Sequence, residues 1–190
     1  MAKTNPGATI TPHFREFLPP WVARQPWYRG GGVPSFAMIG AYRLEDPDGE
    51  VGMEAHLVSD GDAVYQLPMT YRGAPLPDVP DGALIATAEH SVLGARWIYD
   101  AEADPVWRQE ILRLVRDGGA VEGHLAAVRG QAPLYLGKLD ADSLVIDVRR
   151  VLAPGEPAVG PGIAGLMMGS WSPGGAGTES VTGCLVLIRS

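Results

Sequence analysis

Residues 36–71, FAMIGAYRLEDPDGEVGMEAHLVSDGDAVYQLPMTY, decide the fold. Three apolar-rich runs, Phe36 to Leu44, Val51 to Val58 and Ala63 to Tyr71, are cut by Asp46-Pro47-Asp48-Gly49 and by Asp60-Gly61-Asp62. Proline fixes φ, glycine takes positive φ, and aspartate bonds the backbone just ahead of it, so both breaks read as turns. Short strands joined by tight turns pair with their sequence neighbours. The stretch therefore predicts an antiparallel meander.

Downstream, Gly73-Ala74-Pro75-Leu76-Pro77-Asp78-Val79-Pro80-Asp81-Gly82 is a loop, because three prolines remove backbone donors. Ala83 to Glu89 and Arg96 to Tyr99 read as two further short strands. Asp104-Pro105 is an N-cap followed by proline in the first turn, and it predicts a helix from Pro105 to Arg116 that ends at Gly118 or Gly119. Trp107, Ile111, Leu114 and Val115 share one face of it, with Arg108, Gln109, Arg113 and Arg116 on the other. Upstream, Thr11-Pro12 gives the same start signal. It predicts a helix over His13 to Leu18 that stops or bends at Pro19-Pro20, and a short turn over Trp21 to Gln25. Beyond residue 120, the runs Val121 to Val128, Ser143 to Leu152, Ile163 to Trp171 and Thr182 to Arg189 read as strands. The fold class expected is α+β: a curved antiparallel sheet packed by an N-terminal helix and an amphipathic helix at about 105–117, then a second β-rich part. Residues 1–10 are expected as a disordered tail, 11–119 as a first unit, and 120–190 as a second unit packed on it.

Composition narrows the function. A net charge of −7 without a basic cluster beyond Arg149-Arg150 argues against nucleic acid, which is held by counterion-displacing cations. No apolar run approaches the roughly 20 residues of a membrane span, and the N-terminus has no apolar signal core. A cytoplasmic protein is expected. Cys184 is the lone cysteine, so neither an internal disulfide nor a multi-cysteine metal site can form, and its apolar surroundings predict a core residue. His13, His56, His90 and His124 have no metal-ligand spacing. No metal and no cofactor is expected.

A second stretch carries a resemblance. Leu18-Pro19, Arg24-Gln25, Trp27-Tyr28 and Gly30 resemble the opening of the N-terminal cap of actinobacterial maltokinases, which are sugar kinases. Tyr65 to Leu76 and Glu89 to Asp100, followed by Asp104-Pro105-Val106, resemble later parts of the same cap, so the likeness covers about residues 14–116. Pro26 and Gly31 stand where that family usually has arginine and lysine. The resemblance implies a cap fold, with residues 120–190 resembling the kinase intermediate/N-lobe region. Phosphoryl transfer needs a phosphate-binding lysine and metal carboxylates. No catalytic-loop or metal motif of that kind is seen, the strand at Cys184 to Ile188 bears no lysine, and Lys138 lies in a turn-like context. No catalytic residue is therefore assigned. What the resemblance implies is a non-catalytic interaction or regulatory module in trehalose, maltose or glycogen metabolism, with a sugar kinase or a glucan-metabolising enzyme as partner, acting as a monomer or homodimer.

Two alternatives remain open from the residues. Aromatic rings stack on saccharide C–H faces, so Trp27, Tyr28, Trp97 and Tyr99, with Arg24, His90 and Arg96, are candidate ligand-binding residues for a small saccharide. The opposing reading is that the aromatics seal the helix–sheet interface. Glu89-His90-Ser91 combines an acid, an imidazole and a hydroxyl, which would suit an enzyme of another type. Neighbours on a strand face opposite ways, however, so these three cannot act as a relay among themselves. Gly30-Gly31-Gly32 and Ser170 to Gly177 read as flexible connections.

Overall fold

The computed structural model describes residues 7–123, 126–131, 141–158 and 160–190. Its first sheet contains β1 (Ile10–Thr11), β2 (Ala37–Leu44), β3 (Gly52–Asp60), β4 (Ala63–Arg72), β5 (Leu84–His90) and β6 (Gly94–Asp100). They run in the order β1-β5-β6-β4-β3-β2, all antiparallel, in a curled half-barrel. The second sheet contains β7 (Ala120–Glu122), β8 (Ala126–Gln131), β9 (Val145–Val148), β11 (Ile163–Trp171) and β12 (Val181–Arg189), in the order β7-β8-β11-β12-β9. The two-residue β10 (Val151–Leu152) follows β9 yet pairs with β4 of the first sheet, Val151 opposite Tyr65. The α+β class and the curved antiparallel sheet thus stand as expected.

Helix α2 (Pro105–Arg116) has the bounds the sequence predicts, and Asp104 caps it by accepting from the Val106 N–H at 3.0 Å. Trp107, Ile111 and Val115 are buried between the sheets. Arg108 does not simply face solvent: its guanidinium donates to the Leu144 carbonyl at 2.5 Å. Helix α1 (Phe14–Val22) corrects the sequence reading. Thr11 belongs to β1, and the cap is His13, whose Nδ1 accepts from Arg15 N–H while Glu16 accepts from His13 N–H. The helix also continues through Pro19-Pro20, because Phe17, Leu18, Trp21 and Val22 are buried on one side. That burial outweighs the two missing donors, with Ala23 N–H still reaching the Pro19 carbonyl at 3.0 Å. Ile10 pairs with His90, so the tail expected over 1–10 is overlong at its inner end.

The predicted strand over Ser143 to Leu152 is two strands in different sheets. The break falls at Arg149-Arg150. Arg149 N–H bonds the Leu185 carbonyl of β12, and the Arg150 carbonyl accepts from Gln66 N–H of β4. The run expected over Val121 to Val128 divides into β7 and β8, while His124 and Lys138 lie outside the described residues.

Alternation assigns the two faces of the first sheet. Tyr42, Leu44, Met53, Ala55 and Leu57 share a core with α2 and with Met167, Trp171, Leu185 and Ile188 of the second sheet. This core crosses residues 119 and 120. Tyr65, Leu67, Met69 and Ile98 face the other way, onto α1. Gln66, fully buried in the shared core, accepts from the Tyr42 hydroxyl at 2.9 Å and donates to the Leu185 carbonyl at 3.0 Å. Gln66→Leu orphans the Tyr42 hydroxyl, while the Leu185 carbonyl keeps its bond from Arg149 N–H, and it is expected to cost about 1–3 kcal/mol, read from the urea midpoint at unchanged m-value.

Candidate functional site

The face that carries α1 holds the site. Arg43 on β2 pairs with Glu54 on β3, and Gly52 with Tyr71 on β4. Tyr71 pairs with Ile98 on β6, whose same-face neighbour two residues back is Arg96. Period-two alternation puts Arg43, Glu54, His56, Tyr71 and Arg96 on this one face. Their side chains line one cavity. Residues Thr9, Ile10 and Phe14, the β2–β3 turn and the β5–β6 turn close the sides, leaving a cavity of 840 Å³.

Its floor is ionic. Glu54 Oε1 lies 3.6 Å from His56 Nε2. Burial pushes the Glu54 carboxyl up, but hydrogen bonding and charge from His56, aided by Arg43, outweigh it and hold the group below its usual range. His56 is only 4% exposed, and its Nδ1 has no partner among the described residues. The Phe14 ring stands edge-on to the imidazole at 4.7 Å. Burial, with the Glu54 charge beside it, pushes the Tyr71 phenol up, so it stays a neutral hydroxyl. At the far wall His90 Nδ1 accepts from the Val92 and Leu93 N–H groups, both at 3.2 Å.

The candidate residues divide among three places. His90 and Arg96 line this cavity. Arg24 is exposed, donates to the Pro20 carbonyl at 2.7 Å, and lines a separate cavity of 440 Å³ with Trp21, Asp81, Asp100 and Glu102. Trp27 packs against Trp21 and Tyr65 under the Arg150 guanidinium, 5.4 Å from its ring centre. Tyr28 donates to Asp60 at 2.7 Å; that bond first, then burial, pushes its phenol up to about 12. Trp97 and Tyr99 pair with Arg72 and Thr70 and so face away from Trp27 and Tyr28, with the Tyr99 hydroxyl accepting from Leu76 N–H at 3.0 Å. The four aromatics therefore do not form one stacking platform. Sheet alternation separates them, and Trp27 and Tyr28 instead seal the α1 interface. Glu89 and His90 likewise point to opposite faces.

Sequence reading missed Phe14, Arg43, Glu54, His56 and Tyr71. The available signal was Glu54-x-His56, two polar residues facing one way between buried Met53, Ala55 and Leu57. Among the described residues no group of three or more His, Cys, Asp or Glu is placed to hold a metal ion, and no helix is long and apolar enough to cross a membrane.

Residues 21–104 match the maltokinase N-terminal cap domain. The match runs from the end of α1 through β2–β6 and stops at the cap of α2, so it contains the cavity residues of β2–β6 but neither Ile10 of β1 nor Phe14. In these residues the chain resembles the maltokinase cap. The second sheet lies outside the match. No curated protein matches the chain.

Proposed function

We propose that this protein is a non-catalytic, cytoplasmic cap-like module of saccharide metabolism, in the trehalose, maltose or glycogen pathways, and that its cavity over β2–β6 takes a small saccharide. The pathway comes from the likeness to the maltokinase cap. The observation that carries the binding reading is the convergence of arginine, carboxylate, imidazole and phenol groups from five strands on one cavity of 840 Å³. Adjacent sugar hydroxyls suit carboxylate and guanidinium groups, and sugar C–H faces suit the Phe14 and Tyr71 rings. A volume of this size falls within the roughly 300–1,000 Å³ of small-ligand sites.

Millimolar maltose, trehalose or glucose is expected to raise the melting temperature, with at least one of the three effective. Glu54→Gln should remove most of that rise, because it takes the charge from the cavity floor. No rise with any saccharide sinks the reading.

A second reading, an interaction module for a sugar kinase or glucan-metabolising enzyme, draws on the β5–β6 turn, where Val92 is 62% and Leu93 50% exposed at the cavity rim. Co-purification of such an enzyme that is lost in Val92→Ser/Leu93→Ser would favour it.

A further inference from the structure

The cavity is asymmetric in its hydrogen-bonding groups, and the asymmetry describes the ligand. His90 uses Nδ1 as an acceptor for two backbone N–H groups, so the ring proton sits on Nε2 and the far edge of the imidazole is a donor. Arg96 is its diagonal neighbour on the same face of the β5–β6 hairpin, since Ala88 pairs with Arg96 and His90 with Gly94. Arg96 spends one bond on the Ala95 carbonyl at 2.9 Å. Among the described ion pairs none involves Arg96 or Arg43. The β5–β6 side of the cavity, the corner that carries His90 and Arg96, therefore offers donors and a net positive charge, with Arg96 Nη1 3.2 Å from where a Cβ on Gly73 would stand.

The acidic groups of the cavity lie elsewhere. Glu54 is on β3 and engaged with His56, and Glu50 is exposed on the β2–β3 turn. An oxyanion placed against Glu54 would meet a like charge; placed against His90 and Arg96 it meets the Nε2 donor and the guanidinium. Charge-assisted bonds of this kind are about twice as strong as neutral ones.

The geometry points to a ligand that carries an oxyanion, phosphate or carboxylate, held at the His90–Arg96 corner while its hydroxyl groups meet Glu54 and Tyr71: an acidic saccharide rather than a neutral one. The saccharide half rests on the binding reading given above; the oxyanion half rests on the corner alone.

Calorimetric titration of the full chain with glucose, glucose 6-phosphate, glucuronate and inorganic phosphate tests both halves. The phosphorylated or the carboxylated sugar is expected to bind at least about tenfold more tightly than glucose, with the advantage shrinking at high salt. Whichever of the two binds more tightly identifies the oxyanion. Arg96→Gln should erase the advantage of the acidic sugars over glucose. His90→Asn, whose side-chain oxygen can still accept from the turn, should reduce it with little loss of melting temperature. Equal affinity for glucose and both acidic sugars overturns the oxyanion inference and leaves the saccharide reading standing. Binding of inorganic phosphate as tight as that of the sugar phosphate supports the oxyanion and overturns the saccharide reading. Binding of none of the four overturns both.

Discussion

Asp104→Ala is expected to lower the unfolding free energy by about 3 kcal/mol or more, because it breaks a buried ion pair by removing one partner and deletes a helix cap as well. The Asp104 side chain is fully buried and that of Arg72 is 21% exposed. The pair is bidentate, at 2.7 and 2.6 Å, and the same carboxylate accepts from Val106 N–H. Arg72 ends β4 of the first sheet, and Asp104 starts the helix that lies against the second. One carboxylate thus sets how α2 leaves the cap-like part of the chain. Asp104→Asn keeps an acceptor for the cap and loses the charge, so its deficit should be smaller by about 1 kcal/mol. Urea unfolding at neutral pH measures both.

The pH dependence follows with a definite sign. Burial raises the Asp104 pKa, but the Arg72 bond and charge outweigh it, so the folded value is depressed. A depressed folded pKa contributes stability above the unfolded value, about 3.9, and that contribution is lost as pH falls through the folded value. The difference between wild type and Asp104→Ala should therefore be full at neutral pH and narrow below about pH 4. A difference that widens on acidification contradicts the assignment.

What the sequence shows depends on how local the cause is. The turns at Asp46 to Gly49 and Asp60 to Asp62, and the start of α2 at Asp104-Pro105, are written in neighbouring residues and are where the sequence places them. Helix α1 is not, because its passage through Pro19-Pro20 depends on Trp21 and Val22 finding a sheet to pack on. The split of Ser143 to Leu152 was also invisible locally. Arg150 is drawn across to Asp100, Glu102 and the Trp27 ring, partners 48 or more residues away in sequence. The site was half legible. Alternation alone puts His90 and Arg96 on one face and Trp97 and Tyr99 on the other, but nothing local says that α1 covers part of the first face. Glu54 and His56 read as ordinary strand polar residues until Arg43, Tyr71 and Phe14 are brought around them.

Gly130→Ala is the other change expected to act strongly. A Cβ at Gly130 would stand 2.3 Å from the Leu114 carbonyl oxygen and 2.7 Å from both Leu114 C and Val115 Cα. All three are backbone atoms of α2, so no side-chain rotation relieves the overlap. The helix must move off β8, and it cannot do so alone. Gly130 N–H bonds the Gly119 carbonyl at 2.8 Å, and Trp107, Ile111 and Val115 fill the space between the sheets. Overpacking commonly costs about 1–3 kcal/mol, and a clash with fixed backbone belongs at or above the top of that range. Gly52→Ala is the matched control in the cap-like part: its Cβ would rest 3.4 Å from Tyr71 Cβ, close to ordinary contact, and should cost under about 1 kcal/mol. Gly165→Ala comes between, since its nearest obstacle at 2.4 Å is a side-chain methyl of Val115. The order Gly130, Gly165, Gly52 in lost melting temperature is the expected result. Equal, small losses at Gly130 and Gly52 would mean that α2 is not held against β8, and with it the single core shared by the two sheets would fail.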